Sequence, residues 1–455
     1  MRLAPTIAAT SLGFALVQLD VSIVNVALAR IGASLRSPVS GLQWVVDAYA
    51  ITFAALLLSA GVLGDRVGSR KVFIAGLALF GLASLACGLA PNAAGLIAAR
   101  VLQGVGAAPL VPCSLALLTH ACGEDAAARG RAVSVWTAAA SLAIAAGPVL
   151  GGVLVDTLGW RSIFLINLPI VGLAIPLTAR FVVETPPRTG GFDLAGQGLA
   201  IAGLFGLAGA VIEAGRLGVG APLVLGGFAL AALAGVAFVR TEARSADPML
   251  PLGFFQSPTF SAAVAIGLLI NLTLYGVIFV FALYLQQIRG YSPIATGFAF
   301  LPFAVSLGIG NLAAGWVGAH AGLRAPMAAG LAVGGLGYWL LRPLDAALPY
   351  RAMLPGLVII PAGVGLAVPL MTSALLASVP RSRSGAASGV LNTARQAGGG
   401  IGVALFGALL AGRDTAGLNL ALTISAVLLG CGAVLAGVGI RPGSCSPHHS
   451  PRSKP

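Results

Sequence analysis

Four ionisable side chains stand inside long apolar runs: Asp20, Asp47, Arg100 and Arg395. Charges in hydrocarbon are costly, so such residues face a protein interior or a water path and are functional candidates by default. Asp20 lies in the middle of Leu19-Asp20-Val21-Ser22-Ile23-Val24-Asn25, where Asn25 adds a second polar group. Burial favours the neutral form of a carboxylate, and a neighbouring cation favours the ionised form. A carboxylate held between the two can take and release a proton as its surroundings alternate; the other reading is a structural acceptor that positions its helix. Arg100 begins Arg100-Val101-Leu102-Gln103-Gly104-Val105-Gly106. Arg100 and Gln103, three apart, share a helix face, with glycines for close packing beside them. An arginine turned into a bundle biases the ionisation of a nearby acid; a buried structural pair or a snorkelling side chain is the alternative. Asp47 follows Gln43 and Trp44 near the start of its run. It reads either as a cavity-lining or proton-coupling residue or as an interfacial carboxylate. Asn25, Gln43, Trp44, Gln103, Asn392, Arg395 and Gln396 complete the polar candidates for a central cavity.

No other chemistry stands out. The four histidines, His120, His320, His448 and His449, do not have metal-ligand spacing. There is no Walker loop and no nucleophile–base constellation. The expectation is therefore a protein without cofactor or metal, and not an enzyme.

The elements that position these residues follow from composition. The chain has 455 residues, 58% of them hydrophobic and only 9% charged, and a mean hydropathy of +0.98. Soluble domains carry roughly a quarter charged residues. Continuous apolar runs of about twenty residues indicate membrane-spanning helices rather than a barrel, and the 63 glycines permit close helix packing. The net charge of +13 is spread singly through the gaps between runs, the pattern of topology determinants and not of nucleic-acid binding. Only Lys71 and Lys454 are lysines; with abundant Ala and Gly this points to a bacterial, GC-rich genome.

Hydropathy divides the chain into about fourteen spans. Six lie near residues 5–29, 42–64, 72–90, 92–119, 131–156 and 163–183; two near 194–212 and 221–239; six more near 259–285, 293–319, 325–343, 350–376, 386–411 and 418–440. The first reads as a retained helix, too long for a signal h-region. The expected fold is thus all-α: a six-helix bundle in 1–185, two linking helices in 186–257, a second six-helix bundle in 258–440 and a disordered cytoplasmic tail in 441–455. An even number of spans puts both termini on one side. With that side inside, inner segments hold roughly twice the Lys/Arg of outer loops, which places both termini in the cytoplasm and the chain in the inner membrane.

A polar loop follows the second span of each bundle. The first copy is Gly61-Val62-Leu63-Gly64-Asp65-Arg66-Val67-Gly68-Ser69-Arg70-Lys71, and the second is Gly315-Trp316-Val317-Gly318-Ala319-His320-Ala321-Gly322-Leu323-Arg324. Gly61, Gly64, Gly68 and Arg70 recur as Gly315, Gly318, Gly322 and Arg324, a duplication. In the same alignment Asp65-Arg66 is replaced by Ala319-His320, Asp20 by Leu274 and Asp47 by Leu301. Proton chemistry is therefore expected in the first bundle. The fifth span carries Gly147-Pro148-Val149-Leu150-Gly151-Gly152, and its counterpart carries Gly398-Gly399-Gly400-Ile401-Gly402. Proline bends a helix and glycines allow close contact, which suits an interface that opens and seals.

Together these stretches resemble the major facilitator superfamily, specifically its fourteen-span drug:proton antiporters. Gly61–Lys71 is similar to the loop between helices two and three, with Ser69 in place of the usual Arg. Leu19–Leu28 resembles the helix-one motif, Arg100–Ala108 the helix-four motif and Gly147–Gly152 the helix-five antiporter motif; Trp160–Pro169 and Ser388–Gly399 also resemble this group. The resemblance implies proton-coupled efflux of amphipathic small molecules by alternating access, with the small molecule, protons and the bilayer as partners and a monomer as the working unit. It implies a coupling role for Asp20 and Arg100, with Asp47 as a further candidate, and a conformational latch at Gly61, Asp65, Arg66, Gly68 and Arg70. Asp47 stands where many relatives carry an uncharged residue, often Thr. Two other readings remain open: a dedicated exporter of one native metabolite, and a non-transporting receptor or scaffold.

Overall fold

The computed structural model describes residues 3–441, apart from 124, 187–192, 246–247, 249, 251, 343, 346, 380–383 and 411–414, and apart from some further side chains, including that of Leu58 and several in 126–145 and 384–386. The expected disordered tail thus lies, beyond Arg441, outside the described residues. The first helices are α1 (Leu3–Leu35), α2 (Val39–Val67), α3 (Ser69–Leu89), α4 (Ala93–Ala107), α5 (Leu110–Cys122), α6 (Ala126–Leu158), α7 (Ser162–Leu165) and α8 (Asn167–Phe181). Next come α9 (Leu194–Leu217) and α10 (Pro222–Arg244), then α11 (Pro258–Leu283), continued by a π-helical turn over Tyr284–Ile288. The last are α12 (Pro293–Ala299), α13 (Leu301–Ala321), α14 (Arg324–Leu340), α15 (Tyr350–Ala377), α16 (Ser384–Leu409) and α17 (Thr415–Gly439). Each helix satisfies its own backbone, the condition for spanning hydrocarbon. Among the described residues eleven helical segments are long and apolar enough to cross a membrane, and α6, bent within its length, makes twelve. The other two expected spans are helices as well: α14 has 17 residues, and α16 has 26 and carries Asn392, Arg395 and Gln396.

Helix starts follow local chemistry. Asn92, Asp125, Asp193, Ser257 and Ser292 each cap the helix after them by accepting from a backbone N–H three residues on. Pro109 separates α4 from α5, and Pro148 lies inside α6. The loop duplication is visible in the backbone: Gly68 has φ 109° and Gly322 has φ 73°, a left-handed conformation that a residue with a Cβ adopts only under strain.

Helices α1–α8 pack on one another, and α11–α17 do the same. The α9–α10 pair lies alongside, with α9 against α2 and α16. The hydrogen bonds between the two sets cluster at one end, called here the Arg30 end; the opposite end carries Asp65. Gln43 Nε2 donates to Ala404 O at 2.7 Å, Gln286 Nε2 in the π-helical turn to Val26 O at 2.8 Å, and Ile294 N to Asp156 Oδ2 at 3.0 Å. Arg30 stands 3.7 Å from the same Asp156 carboxylate. The chain is thus sealed between its two sets at the Arg30 end.

The glycine-rich helices divide their glycines between two tasks. Gly147 and Gly151 of α6 lie on Ser22 and Ile23 of α1, inside the first set, while Gly152 meets Pro293 and Ile294 of the second. In α16, Gly398 and Gly402 lie on Leu268 and Leu272 of α11, while Gly400 meets Ile51 and Asp47 of the first set. The expectation of an opening interface thus attaches to Gly152 and Gly400; the other four glycines bring a helix onto the leading helix of its own set.

Candidate functional site

Asp20, near the middle of α1, and Arg100, in α4, are both fully buried and meet at 2.5 Å, Arg100 Nη1 to Asp20 Oδ2. The helix geometry anticipated Gln103 on the same face. Gln103 Oε1 accepts from Arg100 Nη1 at 2.7 Å, and its Nε2 donates to Asp20 Oδ1 at 2.8 Å. The same Nε2 lies 2.9 Å from Ser84 Oγ. Asn167 Nδ2 donates to Asp20 Oδ1 and to Ser84 Oγ, each at 3.2 Å. Arg100 Nε donates to Val45 O at 2.9 Å, and the guanidinium lies 4.3 Å from the centre of the Tyr49 ring, with Phe164 beyond. Both oxygens of Asp20 therefore accept hydrogen bonds. A buried ion pair is tolerated only when its remaining hydrogen-bonding groups are met as well; here α2, α4 and α8 supply bonds to the pair, and Ser84 of α3 supports Gln103 and Asn167.

Ser84 and Asn167 escaped the sequence reading. Asn167 lies in the recognised Trp160–Pro169 stretch and was a visible polar signal. Ser84 sits in a uniformly small and apolar run, with no local sign of its partners. Tyr49 was hidden beside the more conspicuous Asp47.

A small cavity of about 20 Å³, room for one water, lies next to this network. It is bounded by Asn25, Tyr49 and Arg100 from the first set and by Tyr275, Gln396 and Gly399 from the second. Asn25 and Gln396, both cavity candidates from the sequence, line it. Gln43 instead bridges the sealed seam to the α16 backbone. Trp44 is also away from the cavity: it stacks on Phe205 of α9 with ring centres 6.4 Å apart, because α9 covers that face of α2. Arg395 lies against α11, with its Nε 3.4 Å from Asn271 Oδ1. Asp47 is fully buried, and neither of its carboxylate oxygens has a hydrogen-bond partner.

At the opposite end the Gly61–Lys71 loop bonds within the first set. Arg70 N donates to Glu184 Oε1 at 2.8 Å and Lys71 N to Glu184 Oε2 at 3.2 Å. Ser69 N donates to Thr185 Oγ1 at 3.0 Å, and the Arg70 guanidinium bonds Ala179 O. The Glu184 carboxylate thus sits on the N-terminus of α3, where the helix dipole favours an anion. Gly68 is required there twice over: a Cβ would stand 2.6 Å from Glu184 Cδ, and its φ is positive. Asp65 and Arg66 are exposed. Among the described residues no hydrogen bond or ion pair joins this loop to the second set; the inter-set bonds described lie at the Arg30 end. Glu184→Ala is expected to cost about 1 kcal/mol, the scale of a lost helix cap. Hydrogen exchange of the Arg70 and Lys71 amides should then quicken roughly fivefold; unchanged exchange would show that Glu184 does not hold the loop.

The family follows from comparison. The Major Facilitator Superfamily model matches residues 10–403. This chain belongs to that superfamily. It is 39% identical over 410 residues to the multidrug resistance protein Stp of Mycobacterium tuberculosis, covering 89% of this chain and 75% of that one. It is 35% identical over 432 residues to the methylenomycin A resistance protein of Streptomyces coelicolor, covering 95% and 90%. It is 39% identical over 398 residues to the cephamycin export protein CmcT of Amycolatopsis lactamdurans, covering 86% and 81%. A crystal structure of the D-xylose-proton symporter superimposes with a TM-score of 0.71 at 14% identity, covering 97% of this chain and 99% of that one. The human organic anion transporter MFSD10 superimposes at 0.64 with 16% identity, covering 96% and 100%. These two likenesses concern the fold. The chain is therefore a multi-pass membrane transporter of the superfamily.

Proposed function

We propose that the chain exports amphipathic small molecules across the bacterial cytoplasmic membrane in exchange for protons, by alternating access of two six-helix bundles. The observation that carries this reading is the Asp20–Arg100 pair, buried, with both Asp20 oxygens hydrogen-bonded and Arg100 bordering the central cavity. A proton arriving on Asp20 removes the charge that holds Arg100, and Arg100 is then free to act on the cavity it borders. Asp47 is the second coupling residue. Both α14 and α16 count as spans, giving fourteen; residues 1–185 and 258–440 form the bundles and 186–257 link them. Both termini and the Asp65 end face the cytoplasm, so the sealed Arg30 end faces outward. Asp65 and Arg66 engage the second bundle when the cytoplasmic end closes. The chain works as a monomer.

The energy scale fits. A proton moving inward through about 100 mV yields about 2.3 kcal/mol, which sustains a gradient of roughly fiftyfold per proton. The relatives are named for resistance to many drugs or to single antibiotics. The single-antibiotic names favour a narrower second reading, export of one native product. Expression in an efflux-deficient bacterium tests both. Broad export predicts raised inhibitory concentrations for several unrelated amphipathic antibiotics, with the protection lost to a protonophore; the narrow reading predicts protection against one chemical class. Protection that survives the protonophore would refute proton coupling.

A further inference from the structure

The embedded charges do not close into pairs. Asp20 and Arg100 satisfy each other, which leaves one acid on the first set and one cation on the second. Asp47 is fully buried with both oxygens unpartnered, and across the seam it lies against Gly400, where a Cβ would stand 3.7 Å from Asp47 Oδ1. Arg395 has the neutral Asn271 amide beside it, and no carboxylate among the described residues pairs with it. Between residues 258 and 440 the acids are Asp345, which precedes α15, and Asp414, which lies outside the described residues.

Neither charge lines the cavity, but each is next in its helix to residues that do. Val46 and Tyr49, on either side of Asp47 in α2, line it from one set; Gln396 and Gly399, next to Arg395 in α16, line it from the other. Gly400, which meets Asp47, and Arg395 are five residues apart on one helix, about 7.5 Å of rise. Tyr49, Phe53 and Tyr275 line the cavity. An unpaired acid on one set and an unpaired guanidinium on the other, each next to lining residues, would give the cavity opposed polarity once it widens.

We propose that the exported molecule is amphoteric, with an anionic group on Arg395 and Asn271, a cationic group on Asp47 and an aromatic or apolar body between. Unpaired charges in a low-dielectric interior are costly, and such a molecule supplies both missing partners at once. It also bridges the two bundles, because Asp47 belongs to one and Arg395 to the other. A ligand moves a conformational equilibrium only through contacts that differ between states, and a bridging ligand makes such contacts. At Asp47 the cationic group and a proton exclude each other, as antiport requires. The proposal rests on the export reading for the direction of movement, but binding can be measured without transport.

The test uses two dyes that differ in one group: rhodamine B, a zwitterion at neutral pH, and its ethyl ester, a cation. Binding to the purified full chain in detergent is followed by fluorescence anisotropy. The wild type should bind rhodamine B on the order of tenfold more tightly than the ester, the scale of one hydrogen bond to a charged group. Arg395→Gln should erase that preference by weakening rhodamine B alone, Arg395→Lys should keep part of it, and Asp47→Asn should weaken both dyes. Equal wild-type affinities, a preference that survives Arg395→Gln, or no saturable binding of either dye would overturn the proposal. Failure of the export reading would look different: the expected binding preference, with no proton-dependent movement of rhodamine B in loaded vesicles.

Discussion

Asp20→Asn is expected to abolish proton-dependent export and to destabilise the chain at the same time. Asp20 Oδ1 accepts from Gln103 Nε2 and Asn167 Nδ2, and Oδ2 accepts from Arg100 Nη1. An asparagine has one acceptor and one donor group in these places, so either orientation turns its NH₂ towards a donor. Arg100 is left buried without a counter-charge, and removing one partner of a buried pair costs about 3–5 kcal/mol. That exceeds the roughly 2.3 kcal/mol which a proton gains from about 100 mV. The membrane potential alone therefore does not split the pair; movement of α1 against α4 must weaken it first. The double variant Asp20→Asn/Arg100→Gln separates folding from coupling. It removes both charges, so thermal melting should recover most of the lost stability, while transport stays abolished. Recovered transport in the double variant would remove Asp20 and Arg100 from the coupling mechanism.

Gly152→Val is expected to hold the Arg30 end open. The position faces backbone, with Pro293 O and Ile294 Cα each 2.7 Å from where a Cβ would lie. Backbone cannot turn aside as a flexible side chain can. Overpacking of this kind costs about 1–3 kcal/mol, and here the cost falls on the sealed arrangement alone. The population with the Arg30 end open should rise roughly five- to a hundredfold relative to the sealed one. Labelling of a cysteine at Gln43, which is buried at this end against the α16 backbone, by a membrane-impermeant maleimide, in a background without the native cysteines, reads this when compared with and without Gly152→Val. Labelling should rise sharply and export should fall, with the fold retained. Unchanged labelling with intact export would show that Gly152 does not lie on a moving seam.

The sequence made much of this architecture legible because the relevant signals are local. Long uncharged runs mean spanning helices wherever they pack, and the loop duplication survives in Gly68 and Gly322. Asp20, Arg100 and Gln103 stood out because a charge or amide in hydrocarbon has few innocent explanations. What the sequence hid depends on which helix lies beside which. Ser84 and Asn167 join the network only because α3 packs on α4 and α8, and α8 on α1. Gln43 and Trp44 resembled cavity residues, but one reaches α16 and the other is covered by α9. Asp47 read also as interfacial; the Gly400 that lies against it is more than 350 residues away in the chain. The polar neighbours of a span can be read from its own sequence only when they lie within a turn or two.

Proton counterflow tests the central claim most directly. The purified chain is placed in liposomes that contain a pH-sensitive dye, with no gradient imposed, and an exported compound is added outside. Exchange for protons predicts that the compound's entry drives protons out, so the interior turns alkaline, and that Asp20→Asn abolishes this change. Entry of the compound with no change of internal pH, or with acidification, would contradict the account.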